Sequence, residues 1–120
     1  MALRTVLVDD DDRFRAMARR LLESEGIEIV AEVATGGATL DAVRTCQPDV
    51  VLLDIGLADV DGTDVARQLQ SECPGIAVVL ISTREAEYGS RVAAGIAAGY
   101  LPKDELSLAA ITDVLGQATC

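Results

Sequence analysis

Short apolar runs that each end on a polar residue recur along this 120-residue chain, and they restrict the folds open to it. The four runs and the residues that end them are residues 6–8 with Asp9 and Asp10, 50–53 with Asp54, 78–81 with Ser82, and 99–102 with Lys103. Helical patterns lie between them, and strands that alternate with helices predict a parallel sheet covered on both faces. Ligands of such sheets bind outside the carboxyl ends of the strands, where we expect these polar side chains to meet.

The periodicity of apolar residues predicts five strands and five helices. We predict strands over residues 3–8, 27–33, 49–54, 76–81 and 99–101, with the second at an edge of the sheet and the third at its centre. The first helix would end at Gly26 and bury one face made of Phe14, Met17, Ala18, Leu21 and Leu22. The later helices are predicted around Leu40 and Val43, around Val65, Ala66 and Leu69, over residues 85–98, and around Leu108, Ile111, Thr112 and Leu115.

Composition and charge exclude several classes of protein. A formal net charge of −10 repels nucleic acid and anionic lipid, so we expect no DNA binding by this domain alone. No apolar run approaches the roughly 20 residues that span a membrane, and aspartates arrive too early for a signal peptide. The cysteines form no close pair and histidine is absent, which indicates free thiols and no zinc site. We therefore expect one cytoplasmic domain over residues 1–120.

The residues expected at the carboxyl edge suit a magnesium ion. Mg²⁺ prefers oxygen ligands and often binds through one or two carboxylates together with a phosphate oxygen. We predict that Asp10 and Asp54 are ligands, and that Asp9 contributes through a water molecule. The carbonyl group of Gly56, two residues beyond Asp54, is a further predicted ligand.

The same edge also offers the groups that phosphoryl transfer needs. Lys103, the only lysine in the sequence, supplies a positive charge for phosphate oxygens, and Ser82 supplies a hydroxyl donor. Asp54 is then predicted to act as a nucleophile on phosphorus, because carboxylates form aspartyl phosphates and the transition state needs mainly positioning and charge neutralisation. Helix capping is the alternative role for an aspartate after a strand, and we expect it of Asp11 or Asp12.

Taken together, these motifs resemble the receiver domain of a two-component response regulator over residues 3–116. The matching segments are Val-Asp-Asp at 8–10, Pro-Asp-Val-Val-Leu-Leu-Asp at 48–54, Asp-Gly at 61–62, Leu-Ile-Ser at 80–82 and Gly-Tyr-Leu-Pro-Lys at 99–103. The resemblance implies an α/β fold, a doubly wound (βα)5 flavodoxin-like sandwich whose five-stranded parallel sheet has the order 2-1-3-4-5. It also implies a phosphoacceptor rather than an enzyme, in which Asp54 takes a phosphoryl group from a sensor histidine kinase and Mg²⁺ is held by Asp9, Asp10 and the Gly56 carbonyl.

The resemblance further implies how the signal would leave the site. Ser82 would bond to the phosphoryl group, Lys103 would pair with it, and Tyr100 would turn inward when Ser82 moves. A homodimer through the face of the fourth helix, fifth strand and fifth helix is the family expectation. The Lys-Asp-Glu-Leu segment at 103–106 is similar to receivers that precede a helix-turn-helix DNA-binding domain, although we expect no such domain within these 120 residues.

Three positions depart from the family pattern. Ala58 and Asp104 stand where many receivers have proline, and Thr83 stands where a smaller residue is common. We expect a looser loop after Asp54, a slower approach of water or phosphodonor past Thr83, and a different aim for Lys103. These changes would alter rates without removing a reactive group.

Two other functions remain open on the residues alone. Asp9-Asp10-Asp11 fits the nucleophile-x-acid pattern of a haloacid-dehalogenase-like phosphatase with Asp9 as the nucleophile, although the chain is short and Arg13 replaces the usual threonine or valine. A receiver-like interaction module that is not phosphorylated is the other alternative. The site of a trapped phosphoryl group separates these possibilities.

Overall fold

Five short strands form one parallel sheet in a computed structural model, which describes residues 3–83 and 94–118. The strands are β1 (Arg4–Val8), β2 (Glu28–Val33), β3 (Val50–Asp54), β4 (Ala77–Ser82) and β5 (Gly99–Pro102). Their order is β2-β1-β3-β4-β5, and every neighbouring pair is parallel. The predicted doubly wound α/β fold and its 2-1-3-4-5 order are therefore confirmed, with β3 at the centre and β2 at an edge.

Four helices are described in residues 3–83 and 94–118. They are α1 (Asp12–Ser24), α2 (Thr39–Cys46), α3 (Gly62–Glu72) and α4 (Leu108–Ala118), and a 3₁₀ turn over Lys103–Glu105 follows β5. Most of the helix predicted over residues 85–98 lies outside the described residues, and residues 94–96 form a turn. None of the helices in the described part of the chain has the length and apolar character needed to cross a bilayer.

Alternation along the strands divides the core into two layers, because successive strand residues point to opposite faces of the sheet. On one face Val6, Val8, Val51 and Leu53 pack with Val43 of α2 and with Val65, Ala66 and Leu69 of α3. On the other face Leu7, Val50 and Leu52 pack with Ala18 and Leu22 of α1 and with Ile111 of α4. Helices on both faces leave the carboxyl edge of the sheet open to a ligand.

The predicted buried face of α1 is wrong at two positions. Ala18 and Leu22 are fully buried, whereas Met17 is 53% exposed and Leu21 is 39% exposed. Met17 and Leu21 each precede one of the buried residues, and neighbours in a helix are turned by about 100°. The helix therefore packs on the sheet through a narrower stripe than the spacing of apolar residues indicated.

The first turn of α1 is capped by Asp11, one of the two residues for which that role was predicted. Its Oδ1 accepts hydrogen bonds from the backbone N–H groups of Arg13 at 3.0 Å and Phe14 at 3.3 Å. Gly26, with φ of +94°, follows the end of the helix at Ser24. The cap, two residues after Asp9, fixes where α1 begins.

We expect Asp11→Ala to lower the free energy of unfolding by about 1 kcal/mol, because it leaves two N–H groups of α1 without their acceptor. Urea denaturation would measure the difference. Asp11→Asn is the matched control, since its side-chain carbonyl can still accept, and it should retain most of the stability. If Asp12→Ala loses this stability and Asp11→Ala loses none, the assignment of Asp11 as the cap is contradicted.

Candidate functional site

The ends of the strands bring the predicted site residues to one edge of the sheet. Asp9 directly follows β1, and its N–H donates to the carbonyl of Val33 at 3.0 Å. Asp54 is the last residue of β3, where the predicted strand over residues 49–54 also ends, and Ser82 is the last residue of β4, one residue beyond its predicted end. Lys103 is the first residue after β5. The convergence follows from the parallel arrangement of the strands.

Asp9, Asp10 and Asp54 form an acidic cluster at this edge. One carboxylate oxygen from each residue lies within 4.8 Å of the others. Asp9 is completely buried and Asp54 is 5% exposed, whereas Asp10 is exposed. Three negative charges at this separation repel one another, most strongly where water is excluded.

The oxygens of the acidic cluster are only partly occupied by protein donors. Asp9 Oδ1 accepts from the N–H of Asp11 at 2.8 Å, and Asp54 Oδ1 accepts from the N–H of Gly56 at 3.1 Å. Asp9 Oδ2 is buried and lies 2.6 Å from Lys103 Nζ, yet no hydrogen bond of regular geometry reaches it from the described residues. An all-oxygen donor set with an incompletely satisfied buried oxygen fits a hard divalent cation such as Mg²⁺.

Lys103 is the positive partner of the acidic cluster. Its Nζ lies 2.6 Å from Asp9 Oδ2 and 3.5 Å from Asp54 Oδ2, and its side chain is 14% exposed. Burial acts to lower the pKa of Lys103, but the attraction of the neighbouring Asp9 and Asp54 carboxylates outweighs it and raises the pKa. Lys103 therefore carries its positive charge in this site.

Asp54 lies in an environment that disfavours its charged form. Burial and the nearby charge of Asp9 raise the pKa of Asp54, against the lowering effects of the Gly56 N–H and of Lys103. Asp10 adds a smaller effect that raises the pKa. A cation bound to the acidic cluster would relieve this repulsion, because it neutralises the charges that cause it.

Ser82 and Tyr100, the two residues that the resemblance pairs as a switch, are in contact. Both are buried, with exposed fractions of 6% and 8%. The Tyr100 hydroxyl donates to the backbone carbonyl of Ser82 at 3.4 Å. Tyr100 therefore points into the protein in this structure.

Two further residues, Phe14 and Arg15, contact the site residues and were not predicted from the sequence to do so. The Lys103 ammonium lies over the ring of Phe14, 4.4 Å from its centre. Arg15 Nη1 donates to the backbone carbonyl of Asp9 at 2.5 Å, and its Nη2 pairs with Asp12. Phe14 had been assigned only to the packed face of α1. The only feature of the sequence that could have indicated a role for Phe14 in the site is its position in the first helical turn after the aspartates.

The loop after β3 carries a restraint that the sequence did not reveal. The carboxylate of Asp59 accepts from the N–H groups of Gly36 at 2.9 Å and Gly37 at 3.0 Å, and these hydrogen bonds lower the pKa of Asp59. The loop that contains Ala58 is thereby tied to the loop after β2. The peptide bond between Lys103 and Asp104 is trans, since the described residues contain no cis bond.

Known proteins match this chain over most of its length. A family model described as the response regulator receiver domain matches residues 5–115. The DNA-binding transcriptional activator EvgA of Escherichia coli K12 is 31% identical over 104 residues, which are 86% of this chain and 51% of EvgA. The response regulator GacA of Pseudomonas viridiflava is 32% identical over 103 residues, 84% of this chain and 48% of GacA. The chain spans about half the length of these curated relatives.

Solved structures agree with this match. The signal receiver domain of the response regulator NarL from Mycobacterium tuberculosis is 31% identical, with a TM-score of 0.78 over 98% of this chain and 94% of that one. A LuxR-family two-component response regulator from Aurantimonas sp. SI85-9A1 is 26% identical, with a TM-score of 0.85 over 97% of this chain and 86% of that one. Comparison by sequence and comparison by structure therefore both find response regulators.

Proposed function

The chain belongs to the response regulator receiver domain family, and from that premise we propose that it accepts a phosphoryl group on Asp54 in a magnesium-dependent reaction. One observation carries the proposal. The buried carboxylate of Asp54 lies within 4.8 Å of those of Asp9 and Asp10 and 3.5 Å from the Lys103 ammonium. This arrangement combines a nucleophile, a group of metal ligands and a cation for phosphate oxygens.

Asp54 is the proposed nucleophile because its carboxylate is held in a fixed orientation at the carboxyl edge of the sheet, where ligands of parallel sheets bind. Its Oδ1 is oriented by the N–H of Gly56, and Oδ2 faces Lys103. An oxygen of Asp54 would form a bond to phosphorus while the bond from phosphorus to the donor breaks, and the leaving group keeps that electron pair. Lys103 would pair with a phosphoryl oxygen and so stabilise the negative charge on the phosphoryl group in the transition state.

The acidic cluster would hold the metal through carboxylate oxygens of Asp9, Asp10 and Asp54, with the Gly56 carbonyl as a further proposed ligand. When bound, Mg²⁺ would supply positive charge that brings the phosphoryl group and the carboxylates together. Asp9 and Asp10 therefore act as positioning and charge-balancing groups in this proposal. Arg15 supports them, because its guanidinium holds the backbone carbonyl of Asp9.

Ser82 and Tyr100 would transmit the effect of phosphorylation from the site to the protein surface. Phosphorylation adds about −1.5 to −2 charges and three acceptor oxygens, and the Ser82 hydroxyl is proposed to bond to one of these. Its movement would change the surface around Tyr100, whose hydroxyl contacts the Ser82 carbonyl. We infer that this surface, with β5, α4 and the helix predicted over residues 85–98, forms a homodimer contact.

The proposed biological setting follows from the family. A sensor histidine kinase would supply the phosphoryl group to a single cytoplasmic receiver domain over residues 1–120, which acts as a phosphoacceptor and not as an enzyme. Because EvgA is named as a DNA-binding transcriptional activator, regulation of transcription is the output that we propose. The acidic charge of this domain, −10, argues against DNA contact by the domain itself.

Labelling with acetyl phosphate tests the proposal. With Mg²⁺ present, we expect the mass of the protein to increase by one phosphoryl group and peptide mapping to locate it on Asp54, with no increase when the metal is chelated. A label on Asp9 would instead support the phosphatase alternative. A folded protein that is neither labelled nor stabilised by beryllofluoride and Mg²⁺ would support the interaction module.

A further inference from the structure

The Lys103 ammonium has an aromatic neighbour as well as two carboxylate neighbours. Its Nζ lies 2.6 Å from Asp9 Oδ2, 3.5 Å from Asp54 Oδ2 and 4.4 Å from the centre of the Phe14 ring. A cation within about 6 Å of a ring centre is attracted to the negative face of the ring. Because the Lys103 side chain is only 14% exposed, water screens this attraction little.

Phe14 reaches the site because of where α1 begins. Asp11 caps the helix two residues after Asp9, and its carboxylate accepts from the N–H of Phe14 at 3.3 Å. The ring therefore stands in the first helical turn, next to the acidic cluster. Ala18 and Leu22 hold the rest of α1 on the sheet, so packing of the whole helix sets the ring position.

Lys103 and a metal ion would compete for Asp9. Asp9 is the carboxylate nearest to Lys103 and also a member of the acidic cluster. A divalent charge bound there would weaken the hold of Asp9 on Lys103 and repel the ammonium, since like charges a few ångströms apart repel strongly in a buried site. Lysine is flexible, so without another partner Lys103 would turn towards solvent.

An aromatic ring can hold the ammonium under these conditions. It attracts a cation but carries no net charge, so it adds nothing to the repulsion within the acidic cluster. It also offers no oxygen atom to a hard cation, and hence does not compete with the carboxylates for Mg²⁺. A further carboxylate in the place of Phe14 would add to the repulsion within the acidic cluster and would also compete for Mg²⁺.

We propose that Phe14 is a positioning residue that keeps Lys103 beside Asp54 while a metal ion and a phosphoryl group occupy the carboxylates. The proposal rests on the phosphoacceptor function and extends it to a residue outside the acidic cluster. It also identifies a restraint on Lys103 in a chain that has Asp104 where many receivers have proline.

Lysine-selective isotope labelling tests the contact, because Lys103 is the only lysine in the sequence and gives a single set of NMR signals. We expect its side-chain methylene protons to be shifted upfield by the Phe14 ring in the metal-free protein, and to stay shifted when Mg²⁺ is added. In Phe14→Leu the shift should be lost, and in Phe14→Tyr, which keeps the ring, it should remain. If Mg²⁺ moves the lysine signals of the wild type to the positions of free lysine, the proposal is overturned. This result does not depend on whether Asp54 is labelled.

The rate of acetyl phosphate labelling tests the consequence. We expect Phe14→Leu to label about threefold to thirtyfold more slowly than the wild type, the range that a shielded cation–π contact supports, and Phe14→Tyr to recover most of the rate. Met17→Leu is the matched control, an apolar change on the exposed side of the same helix, and should label at the wild-type rate. An unchanged rate in Phe14→Leu would overturn the proposal, whereas a wild-type protein without label on Asp54 would overturn the proposed function.

Discussion

Asp54→Asn is expected to abolish labelling by acetyl phosphate and, at the same time, to stabilise the metal-free domain. Label is lost because an amide is a far poorer nucleophile towards phosphorus than a carboxylate. Stability increases because the substitution removes one charge from a buried cluster in which Asp9 and Asp54 repel each other. If Asp54 only supported the fold, its substitution would lower the stability. A loss of labelling together with a gain of stability therefore shows that its charge serves the site at a cost to the fold.

The stabilisation should depend on pH in a definite direction. Folding raises the pKa of Asp54, so between the unfolded-state value of about 3.9 and the raised value the folded state binds more protons. The stability of the wild type therefore falls as the pH rises through this interval, and the loss is complete above it. The advantage of Asp54→Asn should be present at neutral pH and should disappear below the pKa of the unfolded chain.

Urea denaturation with and without Mg²⁺ measures both effects. Mg²⁺ at 100 times its dissociation constant would stabilise the wild type by about 2.7 kcal/mol, and it should stabilise Asp54→Asn less because one ligand has lost its charge. Asp64→Asn makes the same chemical change on the exposed surface of α3, where the side chain is 72% exposed, and should alter neither labelling nor the response to Mg²⁺. Persistent label in Asp54→Asn would mean that another residue is the acceptor.

Gly62→Ala should cause the largest loss of stability among the substitutions considered. A methyl group at Gly62 would lie 2.2 Å from the backbone carbonyl oxygen of Asp54 and 2.7 Å from the Cα of Ile55. These are backbone atoms at the end of the central strand, so they cannot rotate away as a side chain would. We expect a loss of about 3 kcal/mol in the free energy of unfolding, in the upper part of the range for overpacked interiors.

Gly62→Ala should also impair the site, because relief of the clash must move α3 away from Asp54 or shift Asp54 itself. Gly75→Ala is the matched control, since nothing lies within 4 Å of its added methyl group and its φ is not in the left-handed region. That substitution should be neutral or stabilising by up to about 1 kcal/mol. Equal stabilities of the two variants would show that α3 can move without cost.

The fold was predictable because each strand carries its own pattern. The continuous apolar run of β3 indicated a strand buried on both faces, and the alternation in β2 indicated an edge strand; both interpretations are confirmed. The face of α1 was predicted less well, since the apolar residues Met17 and Leu21 satisfy the helical period and still lie outside the packed stripe. Periodicity identifies the apolar side of a helix but not the width that the sheet covers.

The candidate site was predictable to the extent that it depends on strand ends. Each of these residues is the last of a strand or directly follows one, and parallel strands bring such positions together: Asp9, Asp54, Ser82 and Lys103. Their functional roles stay predictions until the labelling experiments are done. Phe14 and Asp59 were not found, because their contacts with Lys103, Gly36 and Gly37 join segments that no local pattern relates.

The amino-acid sequence by itself determined the alternation of strands and helices, the sheet they form and the edge at which the acidic, hydroxyl and amino groups gather, because these follow from local periodicity and from the polarity of parallel strands. Only the tertiary structure decided that Lys103 rests on Asp9 and the Phe14 ring, that Asp59 ties two loops together and that Gly62 lies against the backbone of Asp54. Such contacts depend on distances of a few ångströms between separate elements, and those distances are set by how the helices pack on the sheet.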